Sequence, residues 1–250
     1  MTAANTQARH YDAIIDDYDR HYYDRFSLRY RERFILEPLL EGIDLRGKRV
    51  ADLASGSGET SVYLTRTVKG VELTGFDISP EACRRYREKV GRPAYEIDLT
   101  KGVYDGERFD AAIVMGGLHH CVANLPQTLC AIAAMLQPGG MLLMFEPNRD
   151  YLLEVLRRLW YQRDRYFDSH NEGALSHDSL LKAGGGAFAC ESVKYFGGPA
   201  FFFVYNSLIF RLPHSVKAIA SPALLAAEAV YNQVPVRSIF ASFLARWTRA

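Results

Sequence analysis

The chain is poor in the features that would assign it quickly. Its 250 residues hold four cysteines, Cys83, Cys121, Cys130 and Cys190, and no pair has Cys-x-x-Cys spacing. That excludes a zinc ribbon, a dithiol redox centre and a disulfide scaffold, and leaves buried apolar thiols in a reducing compartment as the expectation. Charge of either sign is not in excess: 30 basic residues face 29 acidic ones, a net of +1. Binding to nucleic acid, which needs a basic surplus, is not expected. No eighteen apolar residues run together, and the stretch from Met1 to Arg33 is charged throughout. Neither a membrane span nor an export signal is therefore expected, and the location is read as cytoplasmic. Repeats are absent, and 48% hydrophobic residues exclude disorder and suffice for a sizeable core.

What is present is alternation. Five apolar runs of strand length, at 49–53, 71–76, 94–97, 109–115 and 141–145, are separated by segments able to hold helices at 59–67, 80–90 and 125–136. Ser79 and Pro80 make a helix start, and Pro138-Gly139-Gly140 a turn. Such alternation predicts an α/β fold with a doubly wound, mostly parallel sheet. Beyond Glu146 come a helical stretch (151–166), a short helix at 177–183 and apolar runs at 188–196 and 201–210. Gly197-Gly198-Pro199 between the two runs predicts a hairpin and an antiparallel end to the sheet.

The chemistry starts at Asp52-Leu53-Ala54-Ser55-Gly56-Ser57-Gly58, where the first strand turns into a helix. Glycines here let a ligand approach the backbone, and the N–H groups of the helix start face it. Asp77, nineteen positions after Gly58 and at the end of the second strand, suits a ribose; Asp98, after the third strand, suits an adenine amine. Together they outline a nucleoside pocket at the carboxyl edge of strands one to three. A dinucleotide site would want a third glycine, where Ser61 stands, and would be repelled by Asp52. Asp52 instead suits a cationic ligand end such as an amino-acid ammonium. That combination favours S-adenosylmethionine (SAM) over NAD(P), and an NAD(P)-dependent oxidoreductase remains the alternative.

Over residues 9 to 205 the sequence resembles the class I SAM-dependent methyltransferases, within their small-molecule, type 11-like group. Asp52 to Gly58 is similar to the first motif, with Ala54 where a glycine is usual; Gly75-Phe76-Asp77-Ile78-Ser79 resembles the ribose motif and Ile97-Asp98-Leu99 the adenine motif. Phe109-Asp110 through Gly117-Leu118-His119-His120 resembles the fourth strand and active-site loop, and Leu136-Gln137-Pro138-Gly139-Gly140 the turn into the fifth. The resemblance implies seven strands in the order 3-2-1-4-5-7-6 with the last antiparallel. It also implies SAM bound by Tyr18, Asp52, Ala54, Gly56, Gly58, Asp77, Ile78, Asp98, Leu99 and Met115. The expected domain covers 1–205, with a lid over about 1–45. Tyr11-Asp12 and Tyr18-Asp19, seven residues apart, share one helix face there. Either that face closes over cofactor and acceptor, Tyr11 touching the latter, or its tyrosines pack on the sheet.

For catalysis, His119 and His120 stand just beyond strand four, where the methyl group should point. A hydroxyl acceptor must lose a proton, and a histidine is the natural base; His119 is the first choice, with His120 packing. The plain alternative is that both only hydrogen-bond the loop. Glu146 either orients the acceptor or caps the helical stretch near Tyr151. No cluster has metal spacing, His170 and His177 read as solvated, and Arg157, Arg158, Arg163 and Arg165 either read an acidic substrate or coat a solvated face. The reading is methyl transfer to a small or lipophilic acceptor, at a hydroxyl oxygen. N- or C-methylation stays open, as does a SAM-binding subunit without catalysis.

Residues 206–250 are expected as a helical extension. They carry +4, so the remainder carries −3. Val236, Ile239, Phe240, Phe243, Leu244 and Trp247 fall at helical spacing. Such a helix docks on its own domain, pairs in a homodimer, or lies on an anionic membrane surface.

Overall fold

A computed structural model describes residues 22, 24–101, 104–155, 173–207 and 212–250. Tyr11, Tyr18, His170 and the four arginines between 157 and 165 lie outside the described residues.

The described chain opens with α1 (Arg25–Arg31), whose N-cap Asp24 accepts from the N–H groups of Phe26 (2.8 Å) and Ser27 (3.2 Å). A π-helical turn (Glu32–Leu36) leads into α2 (Glu37–Leu40). Strand and helix then alternate: β1 (Arg49–Leu53), α3 (Glu59–Thr67), β2 (Glu72–Asp77), α4 (Pro80–Val90), β3 (Ala94–Glu96), β4 (Phe109–Met115), α5 (Leu125–Met135) and β5 (Leu136–Pro147). The start of α4 follows its sequence closely. Ser79 Oγ accepts from the Ala82 N–H at 3.0 Å, Pro80 occupies the first turn, and Gly91 at φ +68° ends the helix. β5 begins earlier than expected, because Pro138-Gly139-Gly140 is a bulge inside the strand, where its register with β4 slips between Phe109 and Ala111.

The remaining elements are α6 (His177–Ala183), β6 (Phe188–Phe196), α7 (His214–Tyr231) and β7 (Ser242–Arg249). The seven strands lie in the order β3-β2-β1-β4-β5-β7-β6, all parallel except β7, which runs against both its neighbours. Side chains alternate between two cores: Ala111 and Ile113 of β4 join Val50, Leu143 and Leu244, while Ala112 and Val114 join Leu53, Leu142 and Phe243. Burial on both faces is why these strands read as unbroken apolar runs.

The order matches the expectation, but the last strand comes from elsewhere. Residues 201–205 form a π-helical turn rather than a strand, and Gly197-Gly198 opens a long crossover rather than a hairpin. The stripe from Val236 to Trp247, expected as an amphipathic helix, ends in β7, slotted between β5 and β6. A strand buried on both faces has no polar alternation, and its apolar residues can fall at helical spacing by coincidence. The segment 206–250 is therefore not an appended helical extension: it supplies α7 and the strand that joins β6 to the sheet. Its Arg246 serves the fold, Nη2 donating to the Pro38 carbonyl at 2.6 Å. His177 is likewise not solvated but buried, accepting from Trp247 Nε1 at 3.1 Å. Of the thiols, Cys83 is buried, whereas Cys130 and Cys190 are exposed. Among the described residues no helix is long and apolar enough to cross a membrane.

Candidate active site

A cavity opens at the carboxyl edge of β1, β2 and β4, where α3 begins. The turn after β1 is tightly wound: Ala54 at φ +51°, Gly56 at +53° and Gly58 at +91°. Ala54 is the only described residue other than glycine in that region, at the position where glycine is usual in the resembled family. Gly56 donates its N–H to Asp77 Oδ2 at 2.9 Å, and the Ser79 N–H binds Asp77 Oδ1 at 2.9 Å, so the β2 acid is fixed by two backbone groups. Burial nonetheless raises its pKa. Asp98 is held by the N–H (3.0 Å) and hydroxyl (2.6 Å) of Thr100; against the upward pull of burial, Lys101 and Thr100 bring it below the ordinary value.

The cavity wall includes Ala54, Gly56, Asp77, Ile78, Asp98, Leu99, Met115 and His120 from the residues expected to bind or react. Two expected cofactor contacts are not on it. Gly58, the N-cap of α3, is a packing glycine: a Cβ there would stand 2.5 Å from Val90 Cγ2 and 2.8 Å from the Tyr86 ring. Asp52, expected to face an ammonium, is fully buried behind the wall, accepting from Ser61 Oγ at 2.6 Å; Ser61 Oγ is also 2.7 Å from the Tyr86 hydroxyl. Burial pushes the Asp52 carboxyl up to about 7, although Ser61 and the Arg31 charge pull it down. The reason is geometric: a residue inside the strand alternates between the two faces, and this one points beneath α3.

Several wall residues escaped the sequence reading. Arg31 of α1, 6% exposed, donates to Thr60 Oγ1 at 2.5 Å and lines the cavity together with Ser57, Tyr22 and Tyr205. A guanidinium beside the N-terminus of α3 suits a carboxylate. No local motif marks it, since α1 reaches the cavity only through tertiary packing; Tyr22 and Arg31 do come from the segment expected to fold over the cofactor. The apolar side chains of Ile78 and Leu99, Asp77 and Asp98, and the Arg31 cation together fit a nucleoside carrying an amino-acid tail.

The loop after β4 is strapped to the end of β5. Glu146, 0% exposed, accepts from the N–H of Gly117 (3.0 Å) and Leu118 (2.7 Å) through Oε1, and from the His119 N–H (3.2 Å) and Nδ1 (2.9 Å) through Oε2. Glu146 is thus not a cavity-facing substrate contact but the anchor of the active-site loop. Burial raises its pKa to about 7 against the pull of these N–H groups and His120. His119 and His120 lie ring to ring, centroids 3.9 Å apart, and it is His120 that lines the cavity. His119 is not on that wall, but its side chain is 20% exposed, and its carbonyl accepts from the Gly173 N–H at 3.2 Å. Among the described residues no three His, Cys, Asp or Glu are placed to hold a metal.

The sheet order is that of a Rossmann-like methyltransferase fold. The family described as "Methyltransferase domain" matches residues 51–144, the stretch from β1 to β5. The chain is 30% identical over 103 residues to the phthiotriol/phenolphthiotriol dimycocerosates methyltransferase of Mycobacterium leprae, a match covering 40% of this chain and 38% of that relative. The match thus spans about two-fifths of that relative's length. Among solved structures, a SAM-dependent methyltransferase of Thermotoga maritima, described as a possible histamine N-methyltransferase, superposes with a TM-score of 0.66 at 14% identity, over 97% of this chain and 99% of that one. The [4+2]-cyclase SpnF superposes with a TM-score of 0.67 at 14% identity, over 99% and 97%. Such distant likenesses show the fold alone.

Proposed function

We propose that this protein transfers a methyl group from SAM to a hydroxyl oxygen of a small, lipophilic acceptor, with His119 as the base. The observation that carries the reading is the Glu146–His119 pair. With Nδ1 directed at the Glu146 carboxylate, His119 holds its proton there and presents Nε2 as the acceptor nitrogen. When bound, SAM supplies an electrophilic methyl carbon and leaves as neutral S-adenosylhomocysteine. The residues that would hold it are Arg31 for the amino-acid tail, Asp77 for the ribose, and Ile78, Asp98 and Leu99 for the adenine, in a cavity that would keep water out. As the new O–CH3 bond forms, the hydroxyl proton passes to His119 Nε2, and Glu146 stabilises the imidazolium. The lipophilic acceptor is supported by the relative from Mycobacterium leprae, whose name gives a lipid substrate.

The test is turnover of methyl-labelled SAM with a lipid extract, followed by mass spectrometry of the labelled product. A methyl ether is expected. Label found only on nitrogen or on a ring carbon would contradict the oxygen assignment.

A further inference from the structure

A buried phenol ordinarily finds a hydrogen-bond partner. Tyr205, which ends the π-helical turn between β6 and α7 and is 7% exposed, finds none among the described residues. Its neighbour Tyr30, also buried, shows the contrast: that hydroxyl donates to Glu228 Oε1 at 2.7 Å. The Tyr205 ring itself is firmly held. Tyr30 stacks on it with centroids 5.4 Å apart, Phe201 lies tilted at 5.8 Å, and Tyr22 and Phe145 make T-shaped contacts at 5.7 and 6.1 Å. A ring fixed in this way loses little further freedom when its hydroxyl is engaged.

Tyr205 lines the cavity on the wall that also carries Arg31. Burial raises its pKa while the nearby Arg31 charge pulls the other way, so the phenol stays neutral and keeps its proton to donate. Arg31 likewise brings donors and no acceptor. Two donors on one wall, one of them cationic, select an anionic oxygen acceptor and disfavour an ammonium. In SAM the only anionic group is the carboxylate of the amino-acid tail.

We infer that the Tyr205 hydroxyl donates a hydrogen bond to the tail carboxylate of SAM beside Arg31, and so ties the crossover between β6 and α7 to the bound cofactor. The contact makes Tyr205 a filter, favouring SAM over nucleosides without a carboxylate. It also makes the seated tail a tether for residues 201–205, which no strand of the sheet includes. The inference rests on the reading that Arg31 holds the tail, and it is independent of the acceptor atom.

The test is calorimetry of the full chain, without acceptor, with SAM and with decarboxylated SAM, which keeps the sulfonium and the amine but lacks the carboxylate. Tyr205→Phe removes the hydroxyl and leaves the ring to pack. It should weaken SAM about tenfold, the size of one hydrogen bond to a charged group, and leave decarboxylated SAM unchanged. In wild type, hydrogen exchange of the amides of residues 201–205 should slow more with SAM than with decarboxylated SAM, and Tyr205→Phe should erase that difference. SAM bound by Tyr205→Phe as tightly as by wild type would overturn the inference, and a raised KM for the acceptor in that variant would then give the hydroxyl to the acceptor. Equal losses for both cofactors would overturn it too, leaving the hydroxyl a structural role. Arg31→Gln separates the two readings. Undiminished SAM affinity there would sink the placing of the tail at Arg31, whereas weakened affinity there with none in Tyr205→Phe would sink this inference alone.

Discussion

In the half of the sheet from β1 to β3, the acids at the carboxyl ends of the strands are gripped by partners near in sequence. Asp77 takes the N–H of Ser79 two residues on and of Gly56 twenty-one back, and Asp52 takes the Ser61 hydroxyl nine residues on. Beyond β5 the ties span the chain: Tyr30 to Glu228 across 198 positions, Lys217 to Ser27 across 190, Arg246 to Pro38 across 208. The first half is a set of strand-turn-helix units, each stating its own geometry. The second is one crossover that makes sense only once β7 has returned to the middle of the sheet. The cavity needs both, since Asp77 and Asp98 come from one half, while Arg31 and Tyr205 are placed by the other.

The largest effect is expected at Glu228. Glu228→Ala leaves three buried donors without their acceptor, at about 1–3 kcal/mol each, so a loss of roughly 3 kcal/mol or more in urea unfolding is expected. Because α1 depends on this contact, SAM affinity should fall as well. If affinity stayed intact, the second half would not be positioning the cavity.

In the first half the largest effect should be a pH dependence. Asp52 lies at about 7 when folded, against an ordinary 3.8, chiefly through burial. Between those values the folded state holds a proton that the unfolded chain has released. The stability from this group is therefore present below about pH 4 and lost as the pH rises through 7. Glu146, raised to about 7, adds a loss of the same sign. Asp52→Asn should flatten the decline between pH 4 and 8 by about 2–4 kcal/mol, read from denaturant midpoints across pH.

The two loops that frame the cavity touch, and this gives two smaller effects. A Cβ on Gly117 would stand 2.7 Å from Ala54 Cβ and 2.9 Å from Val114 Cγ1. Gly117→Ala is expected to cost about 1–3 kcal/mol, partly recovered when Ala54→Gly is combined with it, as a double-mutant cycle would show. Ala54→Gly alone, relieving a left-handed alanine, should stabilise by up to about 1 kcal/mol in thermal unfolding.

This division also governs what could be read in the sequence. Ser79-Pro80 and the alternating runs state local geometry, so β1, α3, α4, β4, α6 and β6 fall where their residues say. Asp77, Asp98 and the histidine loop were legible for the same reason. Which face of β1 Asp52 takes, and that Glu146 points back into a loop, depend on packing between strands. Arg31 and β7 were hidden more deeply, because their signal is a partner about two hundred residues away or burial on two faces at once.

The central claim, that a histidine oriented by Glu146 takes the proton of a hydroxyl acceptor, is tested most directly by single-turnover methyl transfer in His119→Ala beside wild type, with SAM affinity measured by calorimetry in both. The account predicts a rate lower by about 10²–10⁴-fold at unchanged SAM affinity. Full turnover in His119→Ala with SAM bound as in wild type would contradict it.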